Sequence, residues 1–295
     1  MKKRILFLIT LALIGSLVSC ANPSAPTYTE TEHGSLSINN SDSFVSDTEE
    51  IRTDSSSPSK TEKEISVDFS TPEDISEWEI GSEQGKTYVI TLGSDVTVSK
   101  KLRIPEGVTA ILQLNGKTLS GETPCVVENN GTLTVEGEGK IVNTTPKGIN
   151  GEIFHNNGEL TLNGGSFFST ESPIITAFEG SVLIENGVFD SEGILFVSMI
   201  EDFVINNATV NCDFCRGLFG SESGGNITVN GGTYTVEKAS SVLSVIDSTL
   251  TLNGGTVTCN EIDRLFNFGD ASGVTMSDTF LRQGDEAWVN FTEAP

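Results

Sequence analysis

Between residues 109 and 285 the apolar positions repeat one figure. A short alternating stretch leads into a turn rich in glycine and asparagine; a second alternating stretch follows, and then an adjacent apolar pair. "ELTLNGG" (159–165), "SVLIENG" (181–187), "NITVNGG" (226–232) and "TLTLNGG" (249–255) are four copies of the first stretch and its turn. Aligned on the apolar residue before the turn, the column reads Leu114, Val135, Leu162, Ile184, Ile205, Val229, Leu252 and Met276, at intervals of 21 to 27 residues. Two residues earlier a second column runs Leu112, Leu133, Leu160, Val182, Phe203, Ile227, Leu250 and Val274. A period of two places both columns on one side of a strand.

After the turn, the inward column of the second stretch reads Leu119, Ile141, Phe167, Phe189, Val210, Tyr234, Val257 and Phe280. The third carries the pairs Val126-Val127, Ile153-Phe154, Ile174-Ile175, Leu195-Phe196, Leu218-Phe219, Val242-Leu243 and Leu265-Phe266. A repeat of this length marks a solenoid, in which each unit buries its apolar columns against its neighbours. The pattern therefore predicts an all-β parallel β-helix of seven or eight coils, three short strands per coil. At about 4.8 Å per coil the rod is roughly 35 Å long. An up-and-down antiparallel barrel is the rival, but it calls for regular hairpins.

The run "TLGSDVTVSKKLRIPEGVTAILQLNGKTLSG" (91–121), followed by the "LTLNGG" units, resembles the right-handed parallel β-helix proteins of the pectin-lyase-like superfamily. The resemblance covers about residues 85–285 and implies that fold. It implies little about activity, because the fold hosts lyases, hydrolases, adhesins and binding modules. Solenoid ends need covers for their strand edges. "FSTPEDISEW" (69–78) reads as an N-terminal capping helix, with Thr71 as cap, Pro72 at the first turn and Ile75 and Trp78 as its apolar face. "DEAWVNF" (285–291) offers Trp288, Val289 and Phe291 for the other end.

The chain start changes the picture of location. "MKKRILFLITLALIGSLVSC" has a basic start, an apolar stretch too short to span a bilayer, and a Leu-Val-Ser-Cys end. It looks like a bacterial lipobox, which implies a signal peptide over 1–20 and a lipidated Cys20 anchoring the chain to the membrane outside the cytoplasm. Residues 21–66 hold 17 Ser or Thr among 46 positions and read as a disordered, acidic linker, leaving 67–295 for the β-helix. The formal charge is −24, with 26 acids against 10 bases over 88–295. This makes nucleic acid and polyanionic polysaccharide poor partners.

Catalytic chemistry is sparse. The outward column of the first strand reads Gln113, Thr134, Thr161, Leu183, Val204, Thr228, Thr251 and Thr275, with no group able to accept a proton at neutral pH. The Gly-His-Gly and paired-Asp signatures of the superfamily's hydrolases are absent, as are the lyases' Trp-x-Asp-His and Arg-x-Pro-x-Arg. His155 in "FHNNG" reads as a solvated turn residue. The leading expectation is a non-catalytic surface lipoprotein, with Thr134, Thr161, Thr228 and Thr251 on the face that meets a glycan or another cell-surface ligand. A polysaccharide lyase or hydrolase using Lys140, Lys147, Arg216 or Arg264 is the alternative, and a structural spacer of the envelope the third. The threonine row also suggests ice binding, but Leu183 and Val204 interrupt it.

No cofactor is required by this reading. Asp190, Glu192, Asp213, Glu237, Glu261 and Asp263 fall at similar places in successive coils, and a Ca²⁺ ion would relieve their repulsion; a hydrated acidic edge without metal is the alternative. "CDFC" (212–215) leaves two readings open, a Cys212–Cys215 disulfide or buried free thiols. Cys212 falls in an inward column with Gly121, Asn143, Ser169, Ser191, Val236 and Cys259.

Overall fold

The computed structural model describes residues 65–69, 73–80, 84–149, 151–170, 172–268 and 273–289, all within the compact unit Glu62–Pro295. The Cys20 lipobox and nearly all of the 21–66 linker lie outside them. The described chain is a parallel β-helix of about eight turns, in which every strand pairing is parallel.

Three sides recur. The first side runs through Thr87–Leu92, Thr109–Gln113, Thr132–Glu136 and Thr249–Leu252; the second through Lys117–Gly121, Gly139–Asn143 and Thr209–Cys215; the third through Cys125–Asn129, Glu152–Asn156, Ile194–Ser198 and Gly217–Glu222. Some strands turn a corner without ending. Glu159–Ser169 and Ser181–Ser191 serve both first and second sides, with an irregular register between Leu162 and Ser166. Thr233–Ile246 and Gly255–Phe268 likewise join second to third. The coils stack closely where the third side returns to the first. A Cβ on Gly158 would lie 2.0 Å from the Gly131 carbonyl oxygen, and one on Gly180 equally close to that of Gly158. Only glycine fits that corner.

The inward columns agree with the periodicity from the second coil onward. Val135, Leu162, Ile184, Ile205, Val229, Leu252 and Met276 are successive register partners. The first coil is displaced by two residues: Ala110 and Leu112 pair with Leu133 and Val135, and Ile111 rather than Gln113 joins the outward threonine row. Both apolar residues of the third-side pairs from Val126-Val127 to Val242-Leu243 are buried, as Leu195 and Phe196 show at 0 % exposure.

The large rings form one packed series. Phe154 meets Phe167 edge-on at 5.5 Å, Phe167 stacks on Phe189 at 5.1 Å, and Phe189 meets Phe196 at 5.1 Å. Phe196 then stacks on Phe219 at 6.2 Å, which meets Tyr234 at 5.3 Å. Each offset or edge contact adds about 0.5–1.5 kcal/mol beyond area burial.

Two ends depart from expectation. Residues Glu73–Glu79 form a strand rather than a capping helix and pair in parallel with Val96–Ile104. An N-cap is worth about 1 kcal/mol. Pairing instead satisfies a row of backbone groups on the edge of Val96–Ile104, and Ile and Trp suit a strand. At the other end a single helical turn, Glu286–Val289, buries Trp288 completely against Phe280 at 6.2 Å, while Val289 stays 39 % exposed. Phe291 lies outside the described residues. Phe280 pairs with Gly255, and Arg282 takes the place opposite Val257.

Candidate functional site

The outward surface of the first side is the candidate binding face. Thr134 and Thr161 are direct register partners; Leu183 and Val204 follow, then Thr228, Thr251 and Thr275. All but Thr275 are half-buried, because each side chain stands against its neighbours one rung away. The result is a flat strip of hydroxyls and methyls about a central apolar pair. Thr134, Thr161, Thr228 and Thr251 thus share one face, in two groups separated by Leu183 and Val204.

Two residues further along the same strands a polar ladder borders this strip. Thr91, Gln113, Glu136 and Asn163 are successive register partners. The Thr91 hydroxyl donates to Gln113 Oε1 at 2.8 Å, and Gln113 Nε2 donates to Glu136 Oε1 at 2.9 Å. With Asn115 and Gly137 these residues line a shallow depression. Asn115 holds φ at +49°, in the left-handed region, where the chain turns into the second side. Beyond it the turn asparagines hydrogen-bond from coil to coil: Asn253 Nδ2 to Asn230 Oδ1 and Asn230 Nδ2 to Asn206 Oδ1, both at 2.9 Å. Planar amides, a carboxylate and hydroxyls at one-rung spacing can bind hydroxyl-rich ligands. They lack the opposed acid and base of a hydrolytic centre.

The second side carries paired outward threonines. Thr233 and Thr235 pair with Thr256 and Thr258. Earlier on that side the outward residues are Phe168, 42 % exposed, and Val188, 42 % exposed. Periodicity flagged Phe167 as inward; the exposure of its neighbour was readable from the same parity.

His155 is not a turn residue. It lies on the strand Glu152–Asn156, its Nδ1 2.7 Å from Glu152 Oε1, with the Phe178 ring tilted against it at 4.7 Å. Burial opposes its charge, but the bond to Glu152 and the Glu152 and Glu128 carboxylates outweigh that and raise its pKa. Glu128, its register partner, is bound by Lys101, by Arg103 Nε at 3.4 Å and by Asn130 at 3.0 Å. Burial alone would raise the Glu128 pKa; those bonds and charges lower it instead. The cluster is ionically self-satisfied. Of the basic groups considered for a lyase or hydrolase, Lys147 is engaged by Glu192 at 2.7 Å.

The acidic edge is compensated in part. Lys147 meets Glu192; Lys238 Nζ lies 3.6 Å from Glu261 and 3.9 Å from Asp263; and Asn260 donates to Glu237 at 2.6 Å. Glu261 stands opposite Lys238, one place out of step with Glu237. The Asp190 pKa is raised, first by burial and then by Asp213 and Glu192, against a bond from the Cys212 thiol. Among the described residues no three of these groups are placed to hold a metal ion together.

Cys212, Val236 and Cys259 occupy one inward column, as their spacing predicts. Cys212, Cys215 and Cys259 are buried free thiols in this structure. Burial is the first cause that raises each, Cys212 to about 12 and Cys259 to about 11, with Cys215 raised furthest. They are core residues without thiolate character.

No family model, no curated protein and no solved structure matches the chain. What is established is its architecture, a parallel β-helix whose first and second sides face outward with hydroxyl-rich columns.

Proposed function

We propose that this chain is a non-catalytic, lipid-anchored binding module of the bacterial surface, related to the pectin-lyase-like superfamily, that holds a neutral glycan on the first side of its β-helix. The observation that carries the reading is the in-register strip of Thr134, Thr161, Thr228 and Thr251 beside the Thr91–Gln113–Glu136 ladder. An extended polysaccharide presents hydroxyls at intervals close to the rung spacing of about 4.8 Å. The acidity of the domain, 26 acids against 10 bases over 88–295, disfavours anionic chains. The lipobox-like Leu-Val-Ser-Cys end supports a lipid on Cys20 outside the cytoplasm, and the Ser/Thr-rich composition of 21–66 supports a tether.

The test is a glycan-array screen of the full-length chain in detergent, with and without Ca²⁺, followed by a reducing-end assay on every hit. Binding of neutral glycans without release of reducing ends is expected. Release of reducing ends would replace this reading with a lyase or hydrolase, and an empty array would leave only the envelope spacer. The calcium arm tests whether Asp190, Glu192, Asp213 and Glu237 contribute.

A further inference from the structure

Phe168 is the exposed aromatic ring on a stretch of the second side that also turns Val188 to solvent among hydroxyls and charges. Its neighbour Phe167 is 1 % exposed and Phe168 is 42 % exposed, so the two rings of one strand point to opposite sides. Around Phe168 the register builds a small bed. Half-buried Val142 lies opposite it on the preceding coil; Asp190 lies opposite it on the next, and Val188, also 42 % exposed, sits two residues before Asp190. Lys140 and Ser166, register partners of each other, flank the bed on the same outward surface.

We infer that Phe168 is a stacking platform for one pyranose ring of the glycan, with Asp190 accepting hydrogen bonds from that ring's hydroxyls. The inference rests on the glycan reading above and adds a second contact point to it. The strand Glu159–Ser169 carries both Thr161 of the first side and Phe168 of the second, so a chain bound along the threonine strip can reach the ring around one corner. The chemistry fits a sugar. The C–H face of a pyranose covers an aromatic ring, and its edge hydroxyls need an acceptor about one rung away, which is where Asp190 stands.

The other occupants fit less well. A second copy of this chain needs roughly 800 Å² of complementary surface per partner, and the exposed apolar bed is two side chains wide. An anionic polymer would meet Asp190 together with Asp213 and Glu192, whose charges already act on one another.

The experiment is affinity electrophoresis of the full-length chain in nonionic detergent, through gels containing hydroxyethylcellulose, xyloglucan, galactomannan or a soluble β-1,3-glucan. The variants are Phe168→Ala, Phe168→Tyr and Asp190→Asn, each checked for an unchanged melting temperature. At least one polymer should retard the wild type. Phe168→Ala should weaken that retardation at least tenfold, Asp190→Asn should weaken it severalfold, and Phe168→Tyr should retain it. A wild type retarded by a polymer that Phe168→Ala binds equally well overturns this inference alone. A wild type retarded by none of the four overturns the inference and the glycan reading together.

Discussion

Replacing Phe167 or Phe168 by alanine, one at a time, tests the register of the solenoid at its most discriminating place. Phe167 is 1 % exposed and lies between Phe154 at 5.5 Å and Phe189 at 5.1 Å. Deleting a buried phenylalanine costs about 3–5 kcal/mol, because the cavity cannot close fully. Two lost ring contacts of about 0.5–1.5 kcal/mol each place Phe167→Ala toward the upper end of that range. For a domain of this size each kcal/mol lowers the melting temperature by about 2–4 °C, so a fall of roughly 6–20 °C is expected. Phe168→Ala removes a ring of similar area that is 42 % exposed, and surface changes usually stay within about 0.5 kcal/mol. Thermal and urea unfolding followed by far-ultraviolet circular dichroism measures both. Equal losses for the two variants, or a larger loss for Phe168→Ala, would refute the assignment of inward and outward faces.

Three further outcomes are expected. On the proposed lipid anchor, Cys20→Ala should move the protein from the membrane to the soluble fraction; retention of the variant in membranes would remove the lipobox reading. Because the His155 pKa is raised in the folded chain, its pairing with Glu152 contributes stability in full below the unfolded pKa of about 6.5 and loses it as pH rises through the folded value. His155→Gln should therefore cost stability at pH 5 and little at pH 9, and a pH-independent difference in urea midpoint would contradict this. Cys212, Cys215 and Cys259 should resist a thiol reagent at pH 8 until denaturant is added. Cys212 and Cys259 stand two rungs apart, about 9–10 Å, beyond the roughly 7 Å reach of a disulfide. A Cys212–Cys259 linkage in non-reducing peptide maps would therefore break the coil register.

The repeat was legible because a period of two, renewed at every coil, survives any error in where a strand begins. Val135 through Met276 fell into one column on that ground alone. The first coil slipped because "LQLNG" resembles "LTLNG", yet its corner is two residues longer: Leu112 and Leu119 stand in register with Leu162 and Phe167. Backbone pairing sets the register there, and pairing is invisible in a turn signature. The strand at Glu73–Glu79 was hidden for a related reason. Its apolar residues are spaced for a helix, and what makes it a strand is an edge supplied by residues 23 or more positions later. His155 was misplaced because "HNNG" looks like a turn, although Glu152 three residues before it and Glu128 one coil earlier carried its ionic setting. The third-side column of Phe154, Phe196, Phe219 and Phe266 suggests one internal stack; Phe154, Phe196 and Phe219 are core rings, the Phe266 side chain lies outside those described, Ile175 separates the first two in register, and the series is completed through Phe167 and Phe189 from another side.

The aromatic series has a mechanical consequence. Its rings lie between Phe154 and Tyr234, whereas the coils on either side are filled mainly by aliphatic residues, with Tyr88 toward one end and the Phe280–Trp288 contact at the other, and the last inward pair of the first side, Val274 and Met276, is only partly covered. In a structure where each coil touches only its neighbours, opening free energy is local. Amide exchange should therefore be slowest around residues 154–234 and faster toward both ends, so that the rod yields by peeling from its tips toward a stiff waist. A pull applied at one terminus would meet soft coils first and stall where the rings begin.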